Sequence, residues 1–399
     1  MTRSEFLPFY APDVGEEEIR EVTAALRSGW LTTGPRVAQF EEEFAAAVGA
    51  PAAAAVNSGT AALHVSLATL GVGPGDAVIT SPLTFASSAH VIEHVGARPI
   101  FADVDPDTLN VDPEAVRRAI KQAEADGAWQ VRAILPVHLH GHPCDMDALA
   151  QVAADHGLAV VQDAAHALGS AWRGQAVGGP MAGLPPGSLT CFSFYATKNV
   201  TTGEGGMLTG DPAIVDEART WVLHGMSRDA WRRYSSDGSW RYDVLHAGFK
   251  YNLTDPAAAL GLVQLRRLSE FQARRRQIVD RYADAFATLP EVELPHVRPQ
   301  AEHAWHLYVI RLRQDRLRID RDRFIEELRR RNIGTSVHFI PIHLFSYYRD
   351  RYGFQPEDFP VADAEYRRMV SLPLYPRMAD RDVDDVIEAV AGIVAEHRR

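Results

Sequence analysis

Lys198 is the residue whose surroundings most strongly indicate chemistry. It ends the segment Thr190–Lys198 (TCFSFYATK), in which a short strand-like run leads within a few residues to the lysine. The Gly-rich stretch Thr201–Gly206 follows closely. A lysine in an enclosed polar site can lose its proton and form a Schiff base with an aldehyde. The alternative is an ordinary solvated surface lysine, so the neighbouring residues must decide between the two.

Asp163 and His166 follow the continuous apolar run 157–162, which is typical of a buried strand. A carboxylate at the end of such a strand could keep a pyridine nitrogen protonated, and a pyridinium ring is an effective electron sink. His166 could hydrogen-bond a phenolic oxygen on the same ring. The alternative is that both side chains cap the loop.

The turn Asn57–Thr60 (NSGT) feeds directly into a predicted helix. Such a turn leaves free backbone N–H groups at the positive end of the helix dipole, which suits a phosphate. A plain helix N-cap is an equally simple interpretation. Ser193 could add a hydroxyl, and Phe85 could stack on a planar heteroaromatic ring or belong to the core.

Alternating strands and helices must position these groups. The expected strands are Ala53–Val56, Ala77–Thr80, Arg98–Ala102, Ala133–Val137 and Ala159–Gln162, and the expected helices are Glu16–Ser28, Val37–Val48, Ala61–Leu70 and Ser87–His94. This alternation predicts an α/β fold with a mostly parallel sheet covered on both faces. Ligands bind beyond the carboxyl ends of strands in such sheets. The candidate groups all fall there, so their combination is more informative than any one of them.

Two domains are predicted. A large α/β domain covers residues 1–260, and a smaller α+β domain covers residues 261–399. A long helix rich in Arg, Ala and Leu, at about 256–289, joins them. The smaller domain is expected to contain a strand at Gly334–Phe339 and a last helix at Asp380–His397.

Composition excludes several classes of protein. The 399 residues are 46% hydrophobic and carry a net charge of −11, with acidic and basic residues interleaved, so nucleic-acid binding is not expected. Two cysteines cannot form a disulfide framework or a four-thiolate cluster. The N-terminus lacks the apolar core of a signal peptide, and no apolar run approaches about 20 residues. We therefore expect a cytoplasmic protein without a membrane anchor.

The segment His138–Asp145 (HLHGHPCD) raises a metal-binding alternative. Imidazole and thiolate are natural zinc ligands, and alternate residues of a strand point to the same side. Gly141 and Pro143 should interrupt a strand there. We therefore expect no metal site.

Six motifs distributed over nearly the whole chain carry a family resemblance. They are Gly29–Pro35, Asn57–Leu63, Asp163–Ala167, Phe192–Asn199, Gly203–Gly206 and Gly248–Asp255. In these motifs the chain resembles the DegT/DnrJ/EryC1/StrS family of aminotransferases, which use pyridoxal 5'-phosphate (PLP). The resemblance implies the fold type I architecture of PLP-dependent transferases.

The resemblance also implies a role for each candidate residue. Lys198 would carry PLP as a Schiff base, Asp163 would contact the ring nitrogen, His166 would lie near the phenolic oxygen, and Phe85 would stack on the ring. The residues implied to hold the phosphate are Gly59, Thr60, Ala61 and Ser193.

Members of the family usually form homodimers. The segment that matches Gly248–Asp255 then reaches into the other subunit's site and contacts the phosphate. Many relatives have Asn at the position of Lys250, so the resemblance leaves either Lys250 or Asn252 as that contact.

Substrate binding is expected to involve Trp30, together with His338 and His343 of the segment Ser336–His343, which resembles the family's C-terminal active-site stretch. The alternative is that these histidines only pack. The activity implied is transfer of an amino group from L-glutamate to a keto group at C4 or C3 of a nucleotide-linked sugar, with Lys198 moving the proton.

Within the family, the chain is most similar to the UDP-4-amino-4-deoxy-L-arabinose aminotransferase type. The similarity lies in Glu5–Phe9, Gly248–Asp255 and His303–Leu307. A cyclitol ketone remains an alternative acceptor, because the same cofactor residues would serve it. A sugar dehydratase of this fold would have histidine in place of Lys198, so the lysine argues against that activity. A non-catalytic regulator would have no need of Lys198, Asp163 and Ser193, so their presence argues against that class of protein.

Overall fold

In the computed structural model, which describes residues 3–227 and 242–399, apolar runs form strands and the periodic segments between them form helices. The strands are β1 (Ala52–Val56), β2 (Asp76–Thr80), β3 (Arg98–Phe101), β4 (Gln130–Leu135), β5 (Ala159–Asp163), β6 (Ala171–Trp172), β7 (Gln175–Ala176), β8 (Leu189–Ser193), β9 (Gly206–Gly210), β10 (Val292–Glu293), β11 (Ala301–Glu302), β12 (Tyr308–Leu312) and β13 (Met369–Leu372). The helices are α1 (Glu16–Ser28), α2 (Pro35–Val48), α3 (Gly59–Thr69), α4 (Ala86–His94), α5 (Pro113–Asp126), α6 (Met146–His156), α7 (Pro212–Val222), α8 (Asp255–Arg266), α9 (Leu268–Phe286), α10 (Arg321–Arg330), α11 (Ser346–Tyr352), α12 (Pro360–Tyr366) and α13 (Asp380–His397).

The central sheet has the strand order β1-β9-β8-β5-β4-β2-β3. Strands β8, β5, β4, β2 and β3 pair in parallel, whereas β9 is antiparallel to both of its neighbours, β1 and β8. The predicted α/β class with a mostly parallel sheet is confirmed. One edge of the sheet therefore collects the carboxyl ends of β1, β2, β5 and β8, which precede the candidate residues.

Helices cover both faces of this sheet. In β1, Ala53 and Ala55 pack with α2, α5, α6 and α8, whereas Ala54 and Val56 pack with α3, α4 and α7. Val160 of β5 faces the first cluster in the same way. Strands buried on both faces are continuous apolar runs, which is why the sequence predicted them closely.

A second core lies around the antiparallel sheet β10-β12-β13. Side chains of α9, α10 and α13 pack against it, and so does Leu7, whose backbone pairs with Ile333. The division at residues 260 and 261 stays a prediction, and the position of Leu7 shows that the first residues of the chain join the C-terminal core. In the part of the chain that the structure describes, no helix combines the length and apolar character needed to cross a bilayer.

The long helix predicted at about 256–289 is two helices, α8 and α9, which meet at Arg267. The Arg267 guanidinium binds Glu18 at 2.9 Å and Asp13 at 3.3 Å. Glu18 is buried, so these ion pairs fix the position of the junction. The sequence prediction was wrong here because the partners lie about 250 residues away in the chain.

The strand predicted at Gly334–Phe339 is also wrong. This segment makes a single bridge, between Ser336 and Ser371, in place of a strand ladder. The carbonyl of His338 instead accepts a hydrogen bond from Nε2 of His140 at 2.9 Å. The backbone of this segment therefore binds the side chain of His140 and does not continue into a sheet.

Candidate active site

A cavity of about 580 Å³ opens at the edge of the central sheet where the parallel strands end. Loops that follow β1, β2, β5 and β8 form one side, and residues of the C-terminal part form the other. The predicted site residues that line it are Gly59, Thr60, Phe85, Asp163, His166, Ser193, Lys198 and His338. The structure thus brings together most of the candidate residues.

Lys198 lies on the loop that leaves β8, where its amide N–H donates to the Tyr195 carbonyl at 2.9 Å. Its side chain is half-buried. Burial lowers the pKa of the Lys198 ammonium to about 8, although the negative charge of Asp163 acts in the opposite direction. Only the uncharged amine attacks a carbonyl, so a lowered pKa increases the reactive fraction near neutral pH.

Asp163 ends β5 and is buried. Its Oδ2 accepts a hydrogen bond from Ser88 Oγ at 2.8 Å, and its Oδ1 accepts one from the Ala165 N–H at 3.1 Å. Burial raises the pKa of this carboxyl, while the two hydrogen bonds and the positive charge of Lys198 oppose the rise. A cationic ring nitrogen placed here would favour the ionised carboxylate.

His166 offers the cavity one defined hydrogen-bond donor. Its Nδ1 accepts a hydrogen bond from the His140 backbone N–H at 3.3 Å, so the ring proton is on Nε2. Burial lowers the pKa of the ring well below its ordinary value, and the charge of Lys198 adds to the effect. A neutral ring with Nε2–H suits an oxygen acceptor such as a phenolic oxygen.

The start of α3 forms a cradle for an anion. Ser58 caps the helix with an Oγ that accepts from the Ala61 N–H at 3.0 Å, so this amide is already occupied. The amides of Gly59 and Thr60 remain as the helix-end donors. A Cβ on Gly59 would come within 2.8 Å of the Ser193 Cβ, which shows how closely the loop after β8 approaches the helix. The geometry favours Gly59, Thr60 and Ser193 over Ala61 as phosphate contacts.

Trp30, Lys250 and Asn252 do not line the cavity of their own chain. Trp30 is about half exposed, on the loop before α2. The Asn252 side-chain amide donates to Thr33 Oγ1 at 2.9 Å, and the Lys250 ammonium donates to Asn252 Oδ1. The segments that carry these residues therefore meet beside β1, where the backbone of Asn252 pairs with that of Val56 in an antiparallel bridge.

His343 is fully buried and does not lie on the cavity wall. It packs against Phe359, with ring centres 4.9 Å apart. Pro341 precedes a short 3₁₀ turn, Ile342–Leu344, which carries the imidazole inward. The structure does not support the expected substrate contact of His343, and it agrees with the packing alternative.

The side chains of His138–Asp145 bind different parts of the protein instead of gathering around a metal. The Nε2 atoms of His138 and His140 lie 3.0 Å from the Gln162 side-chain oxygen and 2.9 Å from the His338 carbonyl. Within residues 3–227 and 242–399, no three metal-ligating side chains are placed to hold an ion.

Three further residues contribute to the site. Ser88 holds Asp163, as described above. Phe339 stacks on His166 at 5.7 Å and contacts the ring of Phe85 at 5.8 Å. His306 lies against His166 with ring centres 4.4 Å apart. No pattern in the sequence indicates a role for Ser88. Phe339 lies in the segment Ser336–His343 and His306 in the segment His303–Leu307, but neither residue was assigned a role from the sequence.

The fold and the site together define a class of enzyme. A lysine with a lowered pKa, a buried carboxylate and free helix-end amides meet at the carboxyl edge of a mostly parallel sheet, as in fold type I aminotransferases that use PLP. Residues 12–391 match the sequence profile of the DegT/DnrJ/EryC1/StrS aminotransferase family, and the chain belongs to that family. It is a PLP-dependent sugar aminotransferase, which confirms the predicted fold, enzyme class and cofactor.

Relatives match over almost their full length. The spore coat polysaccharide biosynthesis protein SpsC of Bacillus subtilis (strain 168) is 51% identical over 394 residues, which cover 98% of each chain. The PMP form of Spr1654 from Streptococcus pneumoniae, a candidate sugar aminotransferase, is 36% identical, with a TM-score of 0.88 and coverage of 98% of this chain and 99% of that one. Helicobacter pylori PseC, an aminotransferase involved in the biosynthesis of pseudoaminic acid, is 25% identical, with a TM-score of 0.87 and coverage of 98% and 100%. The UDP-4-amino-4-deoxy-L-arabinose subgroup stays a prediction.

The donor set of the cavity fits PLP. Lys198 supplies an amine for the aldehyde, Asp163 a carboxylate for the ring nitrogen, and His166 an N–H for the phenolic oxygen. Phe85 is 60% exposed, so a face of its ring is open to stacking. The groups suited to the phosphate are the Gly59 and Thr60 amides and the Ser193 hydroxyl.

The lowered pKa of Lys198 predicts the pH dependence of cofactor capture. The rate at which cofactor-free protein binds PLP, followed by visible absorbance, should rise with pH through a midpoint near pH 8 and then level off. The uncharged amine is the reactive form, so it predominates above this pKa. Lys121→Ala removes an exposed lysine of α5 and should leave the midpoint unchanged. A midpoint near the ordinary lysine pKa of about 10.4 would contradict the inferred environment.

Proposed function

We propose that this enzyme transfers the amino group of L-glutamate to a keto group at C4 or C3 of a nucleotide-linked sugar. The observation that carries the proposal is the presence of the Lys198 amine and the Asp163 carboxylate in one cavity. SpsC is named for polysaccharide biosynthesis and PseC for the biosynthesis of pseudoaminic acid, which supports a sugar acceptor. A cytoplasmic location is part of the same proposal, and cell fractionation would test it.

Each residue has a task in this reaction. Bound PLP supplies an aldehyde that condenses with amines and a ring that withdraws electrons from the adjoining carbon. Asp163 would hold the proton on the ring nitrogen and so keep the ring positively charged. The freed Lys198 amine would take the proton from the α carbon of glutamate in the first half-reaction and deliver one to the sugar carbon in the second. Its pKa of about 8 lets it both accept and release a proton near neutral pH.

A homodimer with shared sites is the second part of the proposal. Lys250 and Asn252 lie outside their own cavity, and apolar side chains nearby are exposed: Leu31 by 59%, Val244 by 57% and Leu245 by 51%. Exposed apolar groups of this kind mark interfaces when they lie together. Both N–H groups of the Asn252 amide donate, to Thr32 Oγ1 at 3.4 Å and to Thr33 Oγ1 at 2.9 Å. The Lys250 ammonium donates one of its three N–H groups to Asn252 and keeps two, so Lys250 is the group that would reach the phosphate in the other copy's site.

The test supplies L-[¹⁵N]glutamate and a panel of nucleotide-linked keto sugars to the PLP-loaded enzyme. We expect one sugar to gain a ¹⁵N amino group by mass spectrometry, with an equal amount of 2-oxoglutarate formed. Initial rates should follow a ping-pong pattern, because the first product leaves before the second substrate reacts.

Three outcomes would contradict the proposal. Transfer to a cyclitol ketone and to no sugar would favour the alternative acceptor. Sequential kinetics, or a cofactor absorbance that glutamate does not change, would exclude the reaction scheme itself.

A further inference from the structure

His306 is held in one tautomer by Asn199. The Asn199 side-chain Nδ2 donates to the Ala304 carbonyl at 3.0 Å and to the Leu168 carbonyl at 3.4 Å, which fixes its Oδ1 as an acceptor. This Oδ1 lies 3.1 Å from Nδ1 of His306. The Nδ1 atom must therefore carry the proton.

The other nitrogen of His306 is an open acceptor. Burial lowers the pKa of the ring well below its ordinary value, and the nearby charges of Lys198 and Arg275 add to the effect, so the ring is neutral. With its proton on Nδ1, the ring has a lone pair on Nε2. His306 lines the cavity, and among the described residues Nε2 neither contacts a hydrogen-bonding partner nor is fully occluded.

The adjacent rings of His166 and His306 therefore present opposite hydrogen-bonding groups, one a donor and the other an acceptor. His166 presents an Nε2–H donor, whereas His306 presents an Nε2 acceptor. An ionised phenolic oxygen of the cofactor has no hydrogen to give and cannot satisfy His306. The carboxylates of glutamate cannot donate either, and its amino group is consumed when it condenses with the cofactor aldehyde, whereas the hydroxyl groups of a sugar can donate.

His306 lies in the same cavity as Lys198, the residue at which the keto carbon of the substrate would react. The ring of His306 packs against that of His166 with ring centres 4.4 Å apart. A sugar bound with its keto carbon at Lys198 would hold the substituents of the adjoining carbons inside the cavity that His306 lines. A hydroxyl on one of these carbons has the required donor.

We propose that Nε2 of His306 accepts a hydrogen bond from the substrate hydroxyl on the carbon beside the ketone, and that the enzyme thereby selects sugars that carry this hydroxyl. The inference rests on the proposed sugar transamination and adds a determinant of its specificity. A buried acceptor left without a donor makes a site discriminate against analogues that lack the group.

The test compares two substrates with two forms of the PLP-loaded enzyme, the wild type and the His306→Phe variant. The substrates are a nucleotide-linked 4-keto hexose with a hydroxyl at C3 and the same sugar without it. For the wild type and for His306→Phe we measure kcat/KM for each sugar and the rate of the glutamate half-reaction. The variant should lose about tenfold on the hydroxyl-bearing sugar, the size of one net hydrogen bond. Any loss on the deoxy sugar or in the glutamate half-reaction should be about tenfold smaller, because neither presents a hydroxyl group to His306.

Two further variants sharpen the result. His306→Gln places an amide oxygen that can accept the same hydrogen bond, so it should recover part of the preference even if the Phe variant folds poorly. His156→Phe makes the matched change at the end of α6, outside the cavity, and should behave like the wild type. An equal loss on both sugars, or an equal loss in both half-reactions, would overturn the role of His306 alone. If the wild type turns over neither sugar of this pair nor a nucleotide-linked 3-keto sugar, but uses a cyclitol ketone, the proposed function is overturned as well.

Discussion

Replacement of Lys198 by alanine is expected to lower transamination by at least about 10⁴-fold, the upper range for loss of a positioned acid–base group. The variant loses the amine whose pKa burial lowers to about 8, and with it both the attachment of the cofactor and the proton transfer. Steady-state amino transfer from glutamate to a keto sugar measures the effect.

The sequence offers a matched control for this variant. The chain has three lysines, Lys121, Lys198 and Lys250. Lys121 is exposed on α5 and outside the cavity, so Lys121→Ala should retain wild-type turnover. Lys198→Ala with turnover comparable to that of the wild type would contradict the assignment of Lys198.

Asp163→Asn is expected to cost about 10³-fold in turnover, comparable to the loss of a preorganised electrostatic contact. Asparagine has nearly the same shape and can still accept the hydrogen bond from Ser88 that Oδ2 receives at 2.8 Å. It lacks the negative charge that keeps a ring nitrogen protonated, so the cofactor withdraws electrons less strongly. Both half-reactions should slow, while the protein keeps its fold.

The control for Asp163→Asn is Asp147→Asn. Asp147, like Asp163, accepts two hydrogen bonds, in its case from the side chains of Trp172 at 3.0 Å and Arg173 at 2.5 Å, but it lies outside the cavity. Its replacement should leave turnover unchanged. Equal effects of the two substitutions would show that Asp163 has only a structural role.

The sequence predicted the parts of this protein that depend on local pattern. The core strands were found because both faces of the sheet are covered, which makes each strand a continuous apolar run. The last helix was predicted with its observed bounds, Asp380–His397, because its apolar residues recur at helical spacing. Lys198, Asp163 and the turn before α3 were found because they follow such strands.

Features that depend on distant partners were not predicted. The junction at Arg267 is fixed by Glu18, and the bond between Ser88 and Asp163 joins residues 75 positions apart. The tautomer of His306 is set by Asn199, 107 positions away. No local pattern in the sequence indicates such contacts. The inward position of His343 likewise depends on its packing against Phe359.

The most direct test of the central claim locates the cofactor on the chain. Borohydride treatment of the PLP-loaded enzyme fixes the cofactor to the amine that holds it, and peptide mass spectrometry then identifies that lysine among Lys121, Lys198 and Lys250. We predict a pyridoxyl group on Lys198, and we predict that incubation with L-glutamate before reduction prevents this labelling. A pyridoxyl group on Lys121 or Lys250, or labelling of Lys198 that glutamate does not prevent, would contradict the account.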